Sequence, residues 1–125
     1  MDYVEISPGS VRASGVVLGC MRIDSLSQKS VQELVEAAVH AGINTFDHAD
    51  IYGGGKCEEA FGKLLMQKPG MREEIFLQSK CGICEGYYDF SGGHILNSVD
   101  GILKRLHTDY LDLLILHRPD VLMEA

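Results

Sequence analysis

Apolar positions along the chain fall into two alternating patterns: short continuous runs, and longer stripes at helical spacing. The run "VVLGCMR", residues 16–22, predicts a short buried strand. After it, Ser27 is a candidate cap for a helix whose apolar residues Val31, Leu34, Val35, Ala38 and Val39 recur at helical spacing, with Gly42 as the stop. One face of that helix is expected to be buried. The scheme then repeats, with "NTFDHA", 44–49, as a strand and "EEAFGKLL", 58–65, as a short helix presenting Ala60, Phe61, Leu64 and Leu65. "EIFLQSKCG", 74–82, reads as a third strand. Ser91 can cap a third helix with Ile95, Val99, Ile102, Leu103 and Leu106 as its stripe. "LDLLILH", 111–117, is a nearly continuous apolar strand stopped by Pro119.

The predicted order is therefore β-α-β-α-β-α-β, preceded by "YVEISPGSVRAS", 3–14, as a small hairpin. Such alternation implies an α/β fold with a parallel sheet and right-handed crossovers. Two architectures fit, an open doubly wound sheet or part of a (β/α)8 barrel. A complete barrel needs about 250 residues. The chain has 125, so as a barrel it supplies only four strands.

Composition narrows the partners. A hydrophobic content of 46% and a charged fraction of 23% are those of a globular chain. The net charge of -7, with no dense Lys/Arg run, argues against nucleic-acid or acidic-membrane binding. "MDYVEISPGS" has no basic stretch leading into an apolar one, and no apolar run is long enough to span a bilayer, so a cytoplasmic protein is expected. Cys20, Cys57, Cys81 and Cys84 are accordingly expected to be free thiols.

In either architecture, chemistry collects beyond the carboxyl ends of the parallel strands. Asp47, Lys80 and His117 end the second, third and fourth strands, and Tyr52 follows the second. Period-two alternation puts Phe76, Gln78 and Lys80 on one face of their strand, and Leu113, Ile115 and His117 on one face of theirs, so Lys80 and His117 can both point inward. A lysine at the inner end of an apolar strand needs an anion, and Asp47 is the natural candidate. An isolated tyrosine, with a pKa near 10, is a poor acid, but a neighbouring ammonium would stabilise its phenolate.

"FDHADIYG", "LQSKCG" and "LLILHRPD", in that order and each at a strand end, resemble the aldo-keto reductase family, and in particular bacterial oxidoreductases with "HRPD" after the fourth strand. The resemblance implies a (β/α)8 TIM barrel, of which residues 1–125 are the N-terminal half: the hairpin, roughly strands one to four and three helices. It implies NADPH as cofactor, an aldehyde or ketone as substrate, and Asp47, Tyr52, Lys80 and His117 as catalytic residues, with Tyr52 as general acid. It places Gly19, Cys20, Met21 and Asp47 beside the cofactor. The family's grip on the rest of the nucleotide comes from the second half of the barrel, so weak NADPH binding by this chain alone is expected. The open strand edges would be covered by that missing half or by self-association. The alternative is a non-catalytic NADP-binding module of the same fold, serving interaction or redox sensing.

The remaining motifs have plainer readings. Neighbouring strand residues point to opposite faces, so Asp47, His48 and Asp50 are not expected to share a metal ion, and no metal is predicted. His48 and Asp50 read as supporting or rim residues. "GGGK", 53–56, lacks the first glycine and the Ser/Thr of a phosphate loop, and its glycines serve turn geometry. "CGIC", 81–84, follows a strand instead of opening a helix, which favours ordinary thiols. "EGYYDF", 85–90, is either packing against the next helix or a wall of the substrate pocket. His40, His94 and His107 read as solvent-facing.

Overall fold

A computed structural model describes residues 1–118 and 120–122. The proposed stop at Pro119 lies outside the described residues. The N-terminal hairpin forms from β1 (Tyr3–Val4) and β2 (Ala13–Ser14), paired antiparallel. There follow β3 (Val17–Gly19), α1 (Gln28–His40), β4 (Thr45–Asp47), α2 (Lys56–Gln67) and the short α3 (Met71–Glu74). The chain continues through β5 (Phe76–Cys81), a second small hairpin of β6 (Ile83–Cys84) and β7 (Tyr87–Tyr88), α4 (Gly92–Leu106) and β8 (Leu113–Leu116).

Strands β3, β4, β5 and β8 form one parallel sheet in that order. Strand order follows chain order without reversal, so right-handed crossovers carry every helix to the same side of the sheet. A doubly wound sheet reverses at a switch point and would place helices on both faces. The sheet is thus the first four strands of a (β/α)8 barrel.

Local chemistry explains the boundaries. Ser27 Oγ accepts from the Ser30 amide at the start of α1, and Ser91 Oγ from the His94 amide at the start of α4. At the other end of α1, the Gly42 amide donates to Val39 and the Ile43 amide to Ala38, with Gly42 at φ 88°, a Schellman stop. The predicted first strand is longer than the real one: past Gly19 the Cys20 amide still donates to Asp47, but Met21 and Arg22 already turn away. In α1 only Val31, Val35 and Ala38 are buried, because Leu34 and Val39 sit at the flanks of the stripe.

The core lies between the sheet and the helices, built on Phe46, Phe61, Leu64, Leu77, Ile102 and Leu106. Gly62 is the closest approach of α2 to α4: a Cβ there would lie 2.1 Å from the Arg105 carbonyl oxygen. Gly62→Ala is therefore expected to force the two helices apart and destabilise the fold by about 1–3 kcal/mol or more, measurable by urea unfolding. No helix among the described residues is long and apolar enough to cross a membrane.

Candidate active site

The carboxyl ends of β4, β5 and β8 bring four predicted residues together. Lys80 and Asp47 end adjacent strands, with Asp47 opposite Gln78 and Lys80 opposite Ile115 in the ladder. Beyond β4 the His48 amide donates to Gln78 and the Asp50 amide to Lys80, so the loop stays laced to β5. The three glycines after Tyr52 all have positive φ, at 59°, 63° and 93°, and make the tight turn into α2 that holds the tyrosine over the sheet end. A side chain at Gly53 would collide with Asp24, at 2.7 Å.

Lys80 Nζ is the hub. It donates to both carboxylate oxygens of Asp47 at 2.6 and 2.7 Å, to the His48 carbonyl at 2.9 Å and to the Tyr52 hydroxyl at 3.2 Å. The Lys80 and Asp47 side chains are 13% and 20% exposed, so the pair is mostly desolvated and each charge depends on the other. His117 is anchored by its amide, which donates to Cys81, and its ring lies 6.1 Å from that of Tyr52 at 87°. Its Nδ1 is buried and finds no partner among the described residues. Burial, with the positive charges of Lys80 and Arg118, holds the His117 pKa below the ordinary imidazole value, so the ring is neutral at neutral pH.

One participant carries no role in the sequence reading. Gln78 Nε2 donates to Asp47 Oδ1 at 2.6 Å, fixing the carboxylate that fixes the lysine. Its signal was its place two residues before Lys80, on the same strand face.

Other expectations need correction. His48 is neither a supporting nor a rim side chain: it is fully buried behind the sheet, edge-on to Phe61 with ring centroids 4.8 Å apart, and both ring nitrogens lack partners among the described residues. Only its carbonyl serves the site. The Cys20 side chain is 0% exposed, and burial, then Asp47, pushes its thiol up to about 12. Gly19 and Met21 are exposed on the rim, and a Cβ added at Gly19 would meet nothing within 4 Å. His94 is not solvent-facing, being half-buried against β6 and Asp89, whereas His40 and His107 are exposed. Among the described residues no cluster of three His, Cys, Asp or Glu side chains could hold a metal ion. In the loop 85–90, Tyr88 stacks on Phe90, and Phe90 occupies the space a side chain at Gly82 would need.

The buried His48 has a measurable consequence. Desolvation lowers its pKa to about 3 in the folded chain, against 6.5 for an exposed imidazole. The unfolded chain takes up the proton first, so stability present above pH 6.5 is lost as pH falls toward 3, by up to about 1.4 kcal/mol per pH unit. His48→Leu, close in volume and with no polar atoms to leave unpaired, is expected to flatten that slope in urea titrations repeated across pH. An unchanged slope would assign the acid sensitivity elsewhere.

A sequence profile of the Aldo/keto reductase family matches residues 15–124. The chain belongs to that family. It is 44% identical over 123 residues to an uncharacterized oxidoreductase, YcsN, of Bacillus subtilis, covering 89% of this chain and 41% of that protein. It is 39% identical to the oxidoreductase YdhF of Escherichia coli, over all of this chain and 45% of that one. Among solved structures it matches an aldo-keto reductase of Bacillus halodurans in its holo form with a TM-score of 0.79 and 31% identity, over 94% of this chain and 40% of that one. The chain thus spans less than half the length of these relatives.

Proposed function

We propose that residues 1–125 are the N-terminal half of an aldo-keto reductase barrel and carry the proton-transfer machinery of an NADPH-dependent reductase of aldehydes or ketones. The observation that carries this reading is the single ammonium of Lys80 bonded at once to Asp47 and to the Tyr52 hydroxyl. Tyr52 is the general acid: its O–H gives the proton to the substrate oxygen, and Lys80 stabilises the phenolate left behind. Asp47 keeps Lys80 charged and aimed, and Gln78 holds Asp47 in place. His117, neutral and with its ring edge-on to that of Tyr52, donates a hydrogen bond to the carbonyl oxygen and orients it.

NADPH, when bound, supplies the hydride. The exposed Gly19, with open space where a side chain would be, and the neighbouring Met21 offer a floor for its reactive ring, with Asp47 at the edge. The substrate is a small carbonyl compound. The edge strands leave Val17 46% and Leu116 39% exposed, apolar surface that a second barrel half or a second copy of the chain would cover.

The test is an NADPH titration followed by nucleotide fluorescence, with NADH in parallel and mass in solution determined alongside. The 125-residue chain is compared with the same chain fused to the second barrel half of the Bacillus subtilis relative. Weak binding by the chain alone and saturable NADPH binding by the fusion are expected. A folded fusion that ignores NADPH would overturn the reading.

A further inference from the structure

A second cluster of reactive side chains lies outside the Lys80 site, on the segment joining β5 to α4. Cys84 Sγ is 3.7 Å from His94 Nε2, which also lies 3.2 Å from Ser98 Oγ. The other ring nitrogen, Nδ1, is 3.8 Å from Asp89 Oδ2. Asp89 is itself fixed, its Oδ1 accepting the Ser91 amide at 2.9 Å and its own amide donating to Gly82 at 2.8 Å. The cluster therefore has a thiol, a base within hydrogen-bond reach of it, and an anchored acid facing the far side of that base.

That order of groups activates a sulfur nucleophile, because the thiolate is the reactive form and an oriented imidazole can receive its proton. His94 sits in the first turn of α4, whose amide end favours negative charge nearby. Cys84 is also the accessible thiol: Cys20, Cys57 and Cys81 are each 0% exposed, while Cys84 is half-buried. On the facing strand Tyr87, the ladder partner of Cys84, has its phenol pushed above its ordinary range, first by a hydrogen bond with the Cys84 side chain. Beside His94 runs a groove of about 360 Å³ between the loop after β4 and α4, offering Asp50, Asn97, Ser98 and Arg105 as polar partners. That is room for the tail of a small thiol.

We propose that Cys84, His94 and Asp89 form a thiol-exchange site at which Cys84 is reversibly S-thiolated by a low-molecular-weight disulfide. His94 takes the Cys84 proton and the thiolate attacks one sulfur of R–S–S–R. A new S–S bond forms between Cys84 and the attacked sulfur as the S–S bond of the small disulfide breaks, and the departing thiolate R–S⁻ leaves with the electron pair and takes the proton back from His94. Cys84 is oxidised and one thiol is released; excess thiol reverses the step. Nothing in this site uses Lys80 or Tyr52, so it stands whether or not the first cluster reduces carbonyls.

The test uses the 125-residue chain and oxidised glutathione, with adducts counted by intact mass and located by peptide mapping. A single glutathione adduct on Cys84 is expected. It should form about tenfold faster in the folded chain than in urea, be absent in Cys84→Ser, be reversed by reduced glutathione, and form about tenfold more slowly in His94→Gln. The proposal is overturned if native Cys84 reacts no faster than in urea. It is equally overturned by an unchanged rate in His94→Gln, by an adduct on another cysteine, or by loss of two hydrogens in place of an adduct. The native-to-urea ratio is read on the wild-type chain and decides the matter even if the His94 variant is unstable.

Discussion

Replacing Lys80 with methionine is expected to produce the largest loss of activity of any single change, and a loss of stability with it. Met keeps the length and apolar stem but removes four hydrogen bonds made by one atom, to two Asp47 oxygens, the His48 carbonyl and the Tyr52 hydroxyl. Asp47 is then left with Gln78 as its remaining side-chain partner in a site where its side chain is 20% exposed. Breaking a desolvated pair from one side costs about 3–5 kcal/mol. The phenolate of Tyr52 loses its counter-charge, so turnover in the completed barrel should fall by about a hundredfold or more. The double variant Asp47→Asn with Lys80→Met separates the two effects, since it removes the stranded charge and should recover most of the stability but none of the activity. Recovery of both would mean that Lys80 is structural.

The second large effect lies behind the sheet. Glu58 is 0% exposed, accepts from Arg105 Nε at 2.7 Å with one oxygen and from the buried Ser79 hydroxyl at 2.7 Å with the other, and so ties α2 to both α4 and β5. Glu58→Ala leaves the buried Ser79 hydroxyl unpaired, strips Arg105 of its partner and opens a cavity. The expected loss is about 3–5 kcal/mol in urea unfolding. Glu58→Gln keeps both hydrogen bonds possible and should lose clearly less. It should also let the Asp50 carboxyl fall back toward its ordinary range, because Glu58 is the charge that, after burial, holds Asp50 up. Equal losses in the two variants would show that the carboxylate charge, and not the hydrogen bonds or the packing, carries the effect.

These two sites differ in how far the sequence revealed them. Lys80 and Asp47 were legible because a charge at the inner end of an apolar strand demands a counter-charge, and chain order with period-two alternation leaves few places for it. Tyr52 and His117 were legible by position in the three strand-end motifs. The Glu58–Arg105 pair was not, because charged residues on amphipathic helices usually face water, and only the approach of α2 to α4 at Gly62 buries them. Arg72 was missed for the same reason. It is nearly buried beneath the sheet, donating to the Ile75 and Tyr110 carbonyls and to Asp112, whose carboxylate also caps the Leu77 amide. His48 was misplaced because its neighbours' polarity outweighed the alternation that turns residue 48 toward Phe61.

Tyr52 is the proposed proton donor, and the most direct measurement is the rate of carbonyl reduction by the completed barrel with Tyr52 and with phenylalanine in its place. The substitution removes one oxygen from a half-buried ring and leaves the Lys80–Asp47 pair intact. Turnover is predicted to fall by about a hundredfold to ten-thousandfold, with NADPH binding and unfolding midpoint nearly unchanged. Turnover that survives in Tyr52→Phe would contradict the account at its centre, whatever the cofactor titration shows.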